Sequence, residues 1–387
     1  MYNYRIGEIM GIPIRLNISF VIFLPILAWL LSRPEQIGVY IGLIDALAPQ
    51  PIDPAPLEEG YRPTIIGAVA AIGLFASVLL HELGHSWMAR RYDIPISSIT
   101  LWIFGGVASL ERLPREWNRE FWIAIAGPVV SVLLGLFCYV AMIATPSALP
   151  MVVFLTGWLA VTNLVLAAFN MLPAFPMDGG RILRALLARN HPYVDATRTA
   201  ARVGQWMALF LAIVGVFANV FLILIALFVY VAATSESRMV ALDDLLSGVT
   251  AADLMSDDLR TVPAETSVDD LLSRMFRERR TGYPVVDGRG SIVGLVSLAS
   301  LKSVRDVERA ALRVEDVMSR DVQTISPDLP AFEVLQTLGG SDAGRLIVAV
   351  DGEPVGSITR EDFGAALEVL RRVGTAQPAP EWVDGVR

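Results

Sequence analysis

The 387-residue sequence holds one cysteine, one lysine and only three histidines. A single cysteine, Cys138, excludes an internal disulfide, and its place in an apolar run reads as a small packing residue. Lys302 stands alone against thirty arginines, a usage that fits a GC-rich bacterial genome. Charge is scarce too. Soluble domains carry about a quarter charged residues, and this chain carries 18%, with 54% hydrophobic. The deficit points to a membrane protein rather than a large soluble core. The net charge of −8 argues against nucleic acid as a partner, because phosphate binding needs clustered cations. The first ten residues hold charge and no signal-type apolar core. The first long apolar run starts near Leu16 without a small-residue cleavage site, so a retained span is expected there.

Five stretches are long and apolar enough to cross a bilayer, roughly 16–32, 64–89, 120–144, 151–171 and 203–236. A span needs about 20 apolar residues. The last stretch is too long for one helix and has Asn219 near its middle, so it reads as two helices in a tight hairpin, giving six spans. The short piece 37–48 contains Asp45 and reads as re-entrant or interfacial. The loop at 33–63 is acidic, whereas the loops after the second and fourth spans carry Arg90, Arg91, Arg112, Arg115 and Arg119, then Arg181, Arg184, Arg189, Arg198 and Arg202. The positive-inside rule places these basic loops, and with them both termini, in the cytoplasm. The expected location is the cell membrane of a bacterium.

His81-Glu82-Leu83-Gly84-His85 is an H-E-x-x-H motif. On a helix, residues four apart share a face, so both imidazoles can bind one metal. Glu82 lies about 100° around and can reach a water as general base, then general acid. The bland reading is a chance spacing on a core helix. Against it, two of the three histidines are here, and His85 and His81 precede Arg90 by five and nine residues. That is roughly 8 and 14 Å inside the membrane edge, where ionisable groups are costly and presumed functional. A catalytic zinc needs a third protein ligand and one open position. Asp178 is the better candidate, in Asn170-Met171-Leu172-Pro173-Ala174-Phe175-Pro176-Met177-Asp178-Gly179-Gly180-Arg181, where prolines break the helix and glycines allow close approach. The alternative is that Asp178 only caps a helix over Arg181–Arg189. His191, in a basic loop, reads as a surface residue.

H-E-x-G-H in one span and N-x-x-P-x-x-P-x-D-G-G after a later one resemble the site-2 protease family of intramembrane metalloproteases. Gly11–Ser19 and Phe104-Gly105-Gly106 resemble it too, and the resemblance covers residues 1 to about 237. It implies one zinc held by His81, His85 and Asp178, with Glu82 activating water. It implies that Asn170 helps hold the scissile carbonyl or its oxyanion; the plainer alternative is a polar helix C-terminus. Phe104–Leu110 then corresponds to a membrane-embedded strand that pairs with an unwound transmembrane substrate. Met177 stands where a leucine is common.

Beyond Ser237 charge rises, and a repeat appears with an offset of 63 residues. Ala252-Asp253-Leu254-Met255-Ser256 returns as Glu315-Asp316-Val317-Met318-Ser319, and Thr261-Val262 as Thr324-Ile325. Hairpin turns near Asp287-Gly288 and Asp351-Gly352 make each copy a small β-α-β-β-α unit. The copies, about 249–304 and 312–371, resemble a pair of cystathionine-β-synthase-type (CBS) domains. The resemblance implies an adenine nucleotide and, as an alternative, a dimerising module. The ribose-phosphate signature fits the second copy at Gly356–Asp362, implicating Thr359 and Asp362 with Thr324 and Ile325 nearby; the first copy has Ser300 where the aspartate belongs. The tail, 372–387, reads as disordered. The fold expected is therefore a polytopic α-helical membrane protein of about six spans, residues 1–237, followed by a cytoplasmic α/β CBS pair, 249–371. A CBS-regulated metal-ion transporter is the rival. It has no need of Glu82 beside the first histidine, nor of the proline-broken D-G-G loop.

Overall fold

The computed structural model describes residues 3–103, 105–110, 114–257, 259–298, 300–301, 304–305, 308–340, 344–351 and 353–373. Phe104, Arg112, Lys302, Gly352 and the tail from 374, on which parts of the sequence reading rest, lie outside these residues. The chain divides into two compact units, Met1–Arg238 and Met239–Arg387.

The first unit begins with a hairpin that the sequence reading lacks, β1 (Asn3–Ile9) and β2 (Ile12–Asn17). It turns at Met10 and Gly11, both at positive φ. There follow α1 (Ile18–Leu31), α2 (Pro34–Asp45), the single turn α3 (Ala55–Glu58) and α4 (Arg62–Arg91). Strands β3 (Ile96–Trp102) and β4 (Gly105–Leu110) precede α5 (Trp117–Ala144), α6 (Pro150–Asn170), α7 (Asp178–Ala188), α8 (Tyr193–Ala218) and α9 (Val220–Leu245).

Five of these helices, α4, α5, α6, α8 and α9, are long and apolar enough to span. The expected first span differs. With 14 residues α1 measures about 21 Å, short of a hydrocarbon core of about 30 Å, and the chain bends by 73° into α2. Pro34 opens α2, where its missing N–H costs nothing but cannot continue the preceding helix. The stretch 37–48, expected to be re-entrant or interfacial, lies largely in α2, which with α1 forms a bent pair of the kind found in broken spans and re-entrant loops. Counting that pair as one gives six. The last stretch breaks at Asn219, whose side-chain oxygen accepts from Phe221 N at 2.9 Å. The two helices then run back along each other, Gln205 donating to Thr234 at 3.1 Å. Because α8 starts at Tyr193, Arg198 and Arg202 lie on a helix rather than in a loop. Arg181 and Arg184 lie on α7, and Arg184 is buried. Large apolar side chains such as Phe137, Trp206, Phe217 and Phe221 point outward from the bundle, as suits helices bathed in lipid.

Two features place the site. Helix α4 closes on Arg90 and Arg91, cations that suit a helix C-terminus, and packs against α1, α5 and α6. A four-stranded sheet runs in the order β1-β2-β3-β4. β2 pairs with β3 in parallel, and the other pairs are antiparallel. Among the described residues β4 pairs on one side only.

The second unit holds α10 (Ala251–Leu254), β5 (Val262–Pro263), α11 (Val268–Glu278), β6 (Gly282–Val286) and β7 (Ile292–Ser297). The second copy holds α12 (Val314–Val317), β8 (Thr324–Ile325), α13 (Ala331–Gly340), β9 (Arg345–Val350), β10 (Glu353–Thr359) and α14 (Arg360–Val373). The sheets run β5-β6-β7 and β10-β9-β8. The copies exchange their leading segments. Ala251 and Leu254 pack with Val334, Leu338 and Ile358 of the second copy, whereas Val314 packs with Leu271 and Val296 of the first. Ser256 and Ser357 trade backbone hydrogen bonds, as do Ser319 and Leu295.

Candidate metal centre

His81 and His85 sit one turn apart on α4, 3% and 7% exposed, with their ring centres 4.8 Å apart. Asp178, the first residue of α7 and 7% exposed, meets them from the other side. Its Oδ2 lies 3.1 Å from His81 Nε2 and 3.2 Å from His85 Nε2, and the two Nε2 atoms are 3.2 Å apart. An ion about 2.0–2.1 Å from each of three tetrahedral ligands holds them about 3.3–3.4 Å apart. The cluster therefore has the spacing of a zinc site, and its N, N, O donor set suits that metal.

The far sides of both rings are fixed. His85 Nδ1 is 2.7 Å from the Ile123 carbonyl oxygen. A carbonyl only accepts, so Nδ1 carries the proton and Nε2 offers a lone pair. His81 Nδ1 lies 2.9 Å from the hydroxyl of Ser131, a fully buried residue of α5. With its proton donated there, its Nε2 is likewise free for metal. Space is kept open by Gly127 on α5. A Cβ at this position would lie 2.3 Å from His85 Nε2 and 2.7 Å from His81 Nε2.

Glu82 is half-buried and lies against β4, where a Cβ on Gly106 would come within 2.4 Å of its Cγ. The proposed base therefore flanks β4, which pairs on one side only among the described residues. Asn170 is the last residue of α6, and its side-chain N–H donates to Leu166 O at 3.0 Å. His191 is exposed, as expected.

In the second unit a cleft of about 220 Å³ is lined by Arg279, Arg280, Arg345, Thr359, Glu361 and Asp362, with Ser256, Thr281 and Ser357. Burial and the adjacent Arg280 push the Arg345 guanidinium below its ordinary value, and it donates to Ser357 Oγ at 2.9 Å. Thr359 and Asp362 meet here. Thr324 and Ile325 lie on β8, outside this lining. The hairpin carries β9 and β10 toward the cleft at their Arg345 and Thr359 ends, and β8 pairs with β9 farther along, at Ile347 and Val348.

Comparison with known proteins gives the family. The family model described as peptidase family M50 matches residues 69–151 and 142–211. The CBS domain model matches 251–305 and 314–368. A zinc metalloprotease of Methanocaldococcus jannaschii is 34% identical over 373 residues, 95% of this chain and 97% of that one. The chain belongs to peptidase family M50, the site-2 proteases. It is a zinc metalloprotease with a tandem CBS pair. Rip3 of Mycobacterium tuberculosis is 33% identical over 395 residues, 97% of this chain and 94% of that one. A solved site-2 protease from Methanocaldococcus jannaschii is 38% identical, covering 61% of this chain and 96% of that one, with a TM-score of 0.40. In this M50 chain the sequence reading lacked Ser131, Gly127 and the buried pair Arg184–Glu120. The signal was present: a serine, a glycine–proline step and a glutamate stand out inside the apolar run 120–144.

Proposed function

We propose that this protease cleaves within the membrane, hydrolysing a peptide bond in or near a transmembrane segment of a protein substrate, with one zinc per chain. The observation that carries this reading is a buried His81–His85–Asp178 cluster whose two histidines sit on a helix long and apolar enough to span. Zinc held there supplies a Lewis acid that acidifies water and polarises a carbonyl. Glu82 takes the proton of the attacking water as its oxygen adds to the scissile carbonyl carbon. The same carboxyl returns that proton to the amine nitrogen as the C–N bond breaks. A second side-chain N–H of Asn170 holds the carbonyl oxygen as charge grows on it. A helical substrate hides its peptide bonds, so it must unwind, and the free edge of β4 offers it backbone partners beside Glu82. Comparison of membrane proteomes from cells carrying the wild type and Glu82→Gln tests the reading. Substrate fragments are expected only with the wild type, and identical fragments in both sink it.

Two further assignments rest on the same chain. The arginines of the cleft suit a phosphate, and the CBS pair is proposed to take an adenine nucleotide there and to modulate cleavage. Calorimetry on the full-length protein with AMP, ADP and ATP is expected to give heat with at least one. No heat with any of them leaves the pair as a docking module, and the surface carrying Phe276, 87% exposed on α11, then suits a homodimer. The arginine-rich segments 90–119 and 181–202 support a topology with both termini in the cytoplasm. Reporters fused after Arg119 and Ser237 are expected to read cytoplasm, and one at Asp53 the opposite side; a cytoplasmic signal at Asp53 overturns that topology.

A further inference from the structure

Arg184 is the largest fully buried side chain among the described residues. It lies on α7, six residues beyond Asp178. Its Nε donates to Glu120 Oε1 at 2.7 Å, its Nη2 approaches the same oxygen at 2.5 Å, and its Nη1 donates to Glu236 Oε1 at 2.6 Å. Its guanidinium carbon stands 5.0 Å from the ring centres of both Phe175 and Tyr193. One cation thus touches the first turn of α5, the proline-broken segment before Asp178, the start of α8 and the end of the last span.

A buried ion pair is poor value for stability, since an apolar replacement of similar volume often does as well. What a guanidinium adds is direction, because its planar fork accepts partners only at set angles. α7 packs against α5 and α8, and the fork adds direction to that packing. The helix has 11 residues, its preceding residue Met177 provides no side-chain cap, and its first residue must reach two imidazoles at once. The partner α5 also carries Ser131 and Gly127, so the Arg184–Glu120 pair ties the Asp178 helix to the helix that orients His81. We propose that Arg184 is a positioning residue for the metal site: its fork on Glu120 and Glu236 sets the rotation of α7 and so aims the Asp178 carboxylate between His81 and His85. It touches neither zinc nor substrate.

The test measures zinc affinity of the purified full-length protein by chelator competition, with the visible spectrum of the cobalt-loaded protein as a second readout. Arg184→Lys keeps the charge and loses the fork. It is expected to bind zinc about tenfold more weakly, as when a residue supporting a metal ligand is lost, and to shift the cobalt bands. The double variant Arg184→Gln with Glu120→Gln removes both buried charges. If Arg184 serves only to neutralise Glu120, this double variant matches the wild type in zinc affinity and cobalt spectrum. If Arg184 positions Asp178, its affinity stays low although its metal-free melting temperature matches the wild type. Wild-type affinity and spectrum in either variant overturn the proposal. Should Arg184→Lys fail to fold, the double variant decides by the same criterion. Should both fail, Glu236→Gln, altering a partner 31% exposed, decides: unchanged affinity and spectrum overturn the proposal, and a loss of several-fold sustains it.

Discussion

Asp178 opens α7 in the membrane unit, and Asp362 lies in the first turn of α14 in the CBS unit. An acidic residue in a first turn favours a helix through its dipole in either place, yet the two carboxylates are used in opposite directions. Asp362 Oδ2 accepts from Thr359 N at 2.9 Å and from Thr359 Oγ1 at 2.7 Å, and Thr359 Oγ1 accepts from Asp362 N at 3.2 Å. It closes its own helix. Asp178 turns its Oδ2 to two histidines 97 and 93 positions earlier in the chain, and backbone bonds such as Gly180 N to Met177 O complete its helix start instead. A helix-opening aspartate is thus available to a metal when its own turn leaves the carboxylate free and other elements bring it partners.

The largest effects should separate these two residues. Asp178→Ala removes the proposed third ligand, so zinc affinity is expected to fall more than the roughly 10–100-fold typical of losing a supporting residue, with cleavage lost. Asp362→Ala should leave zinc affinity unchanged. Metal analysis of both purified variants checks this, and equal zinc loss would end the comparison. Glu82→Gln is expected to keep its zinc and lose about 10²–10⁴-fold in cleavage rate. A normal rate in that variant would remove Glu82 from its role as base. Gly127→Ala brings a methyl carbon within 2.3 Å of His85 Nε2, and is expected to abolish zinc binding while the CBS unit stays folded. Retained zinc in Gly127→Ala would mean that α5 yields.

These expectations also mark what the sequence could reveal. The H-E-x-x-H spacing is local, and helix periodicity alone puts both histidines on one face. Asp178 lies far along the chain but within a proline–glycine context that announces a break. The bent α1–α2 pair, by contrast, depends on a turn at Ser32 and Arg33 that no apolar run encodes. β1 is exposed throughout and lacks the alternation that marks a strand with a buried face; β2 carries it, with Ile12 and Ile14 buried, but over six residues only. Arg184 was read as a loop charge because its neutralising partners, Glu120 and Glu236, are 64 and 52 residues away. The exchange of α10 and α12 between CBS copies is invisible for a similar reason: two similar repeats offer each segment two similar cradles, and only tertiary packing chooses.

A smaller effect tests the far side of the centre. Ser131→Ala deletes the hydroxyl 2.9 Å from His81 Nδ1 and leaves that N–H buried without a partner. Support of this kind is worth about 10–100-fold in metal affinity. Ser131→Thr, which restores a hydroxyl, should recover part of it. Unchanged affinity in Ser131→Ala would mean that His81 is oriented by α4 alone.

The smallest effect returns to Asp362 and to its counterpart in the first CBS copy. There Ser300 stands three residues after Ser297, as Asp362 stands three after Thr359. Ser297 N lies 3.4 Å from Ser300 Oγ, and Ser300 N lies 3.3 Å from Ser297 Oγ. Both exceed the usual N–H···O range, and the acceptor carries no charge, so the turn is held weakly. In the second copy the acceptor is ionised and the bonds are shorter. Loss of a helix cap costs about 1 kcal/mol, or about fivefold in a local opening equilibrium. Amide exchange in the first turn of α14 is therefore expected to speed up about fivefold in full-length Asp362→Ala. Ser300→Ala should change its own turn far less. The result also bears on the nucleotide. One oxygen of Asp362 is already committed to Thr359, so any ribose contact must fall to Oδ1. If nucleotide binding weakens in Asp362→Ala while exchange in α14 stays at the wild-type rate, the carboxylate acts on the ligand and its capping role is negligible. If exchange alone changes, Asp362 is a cap, and the arginines of the cleft hold the nucleotide without it.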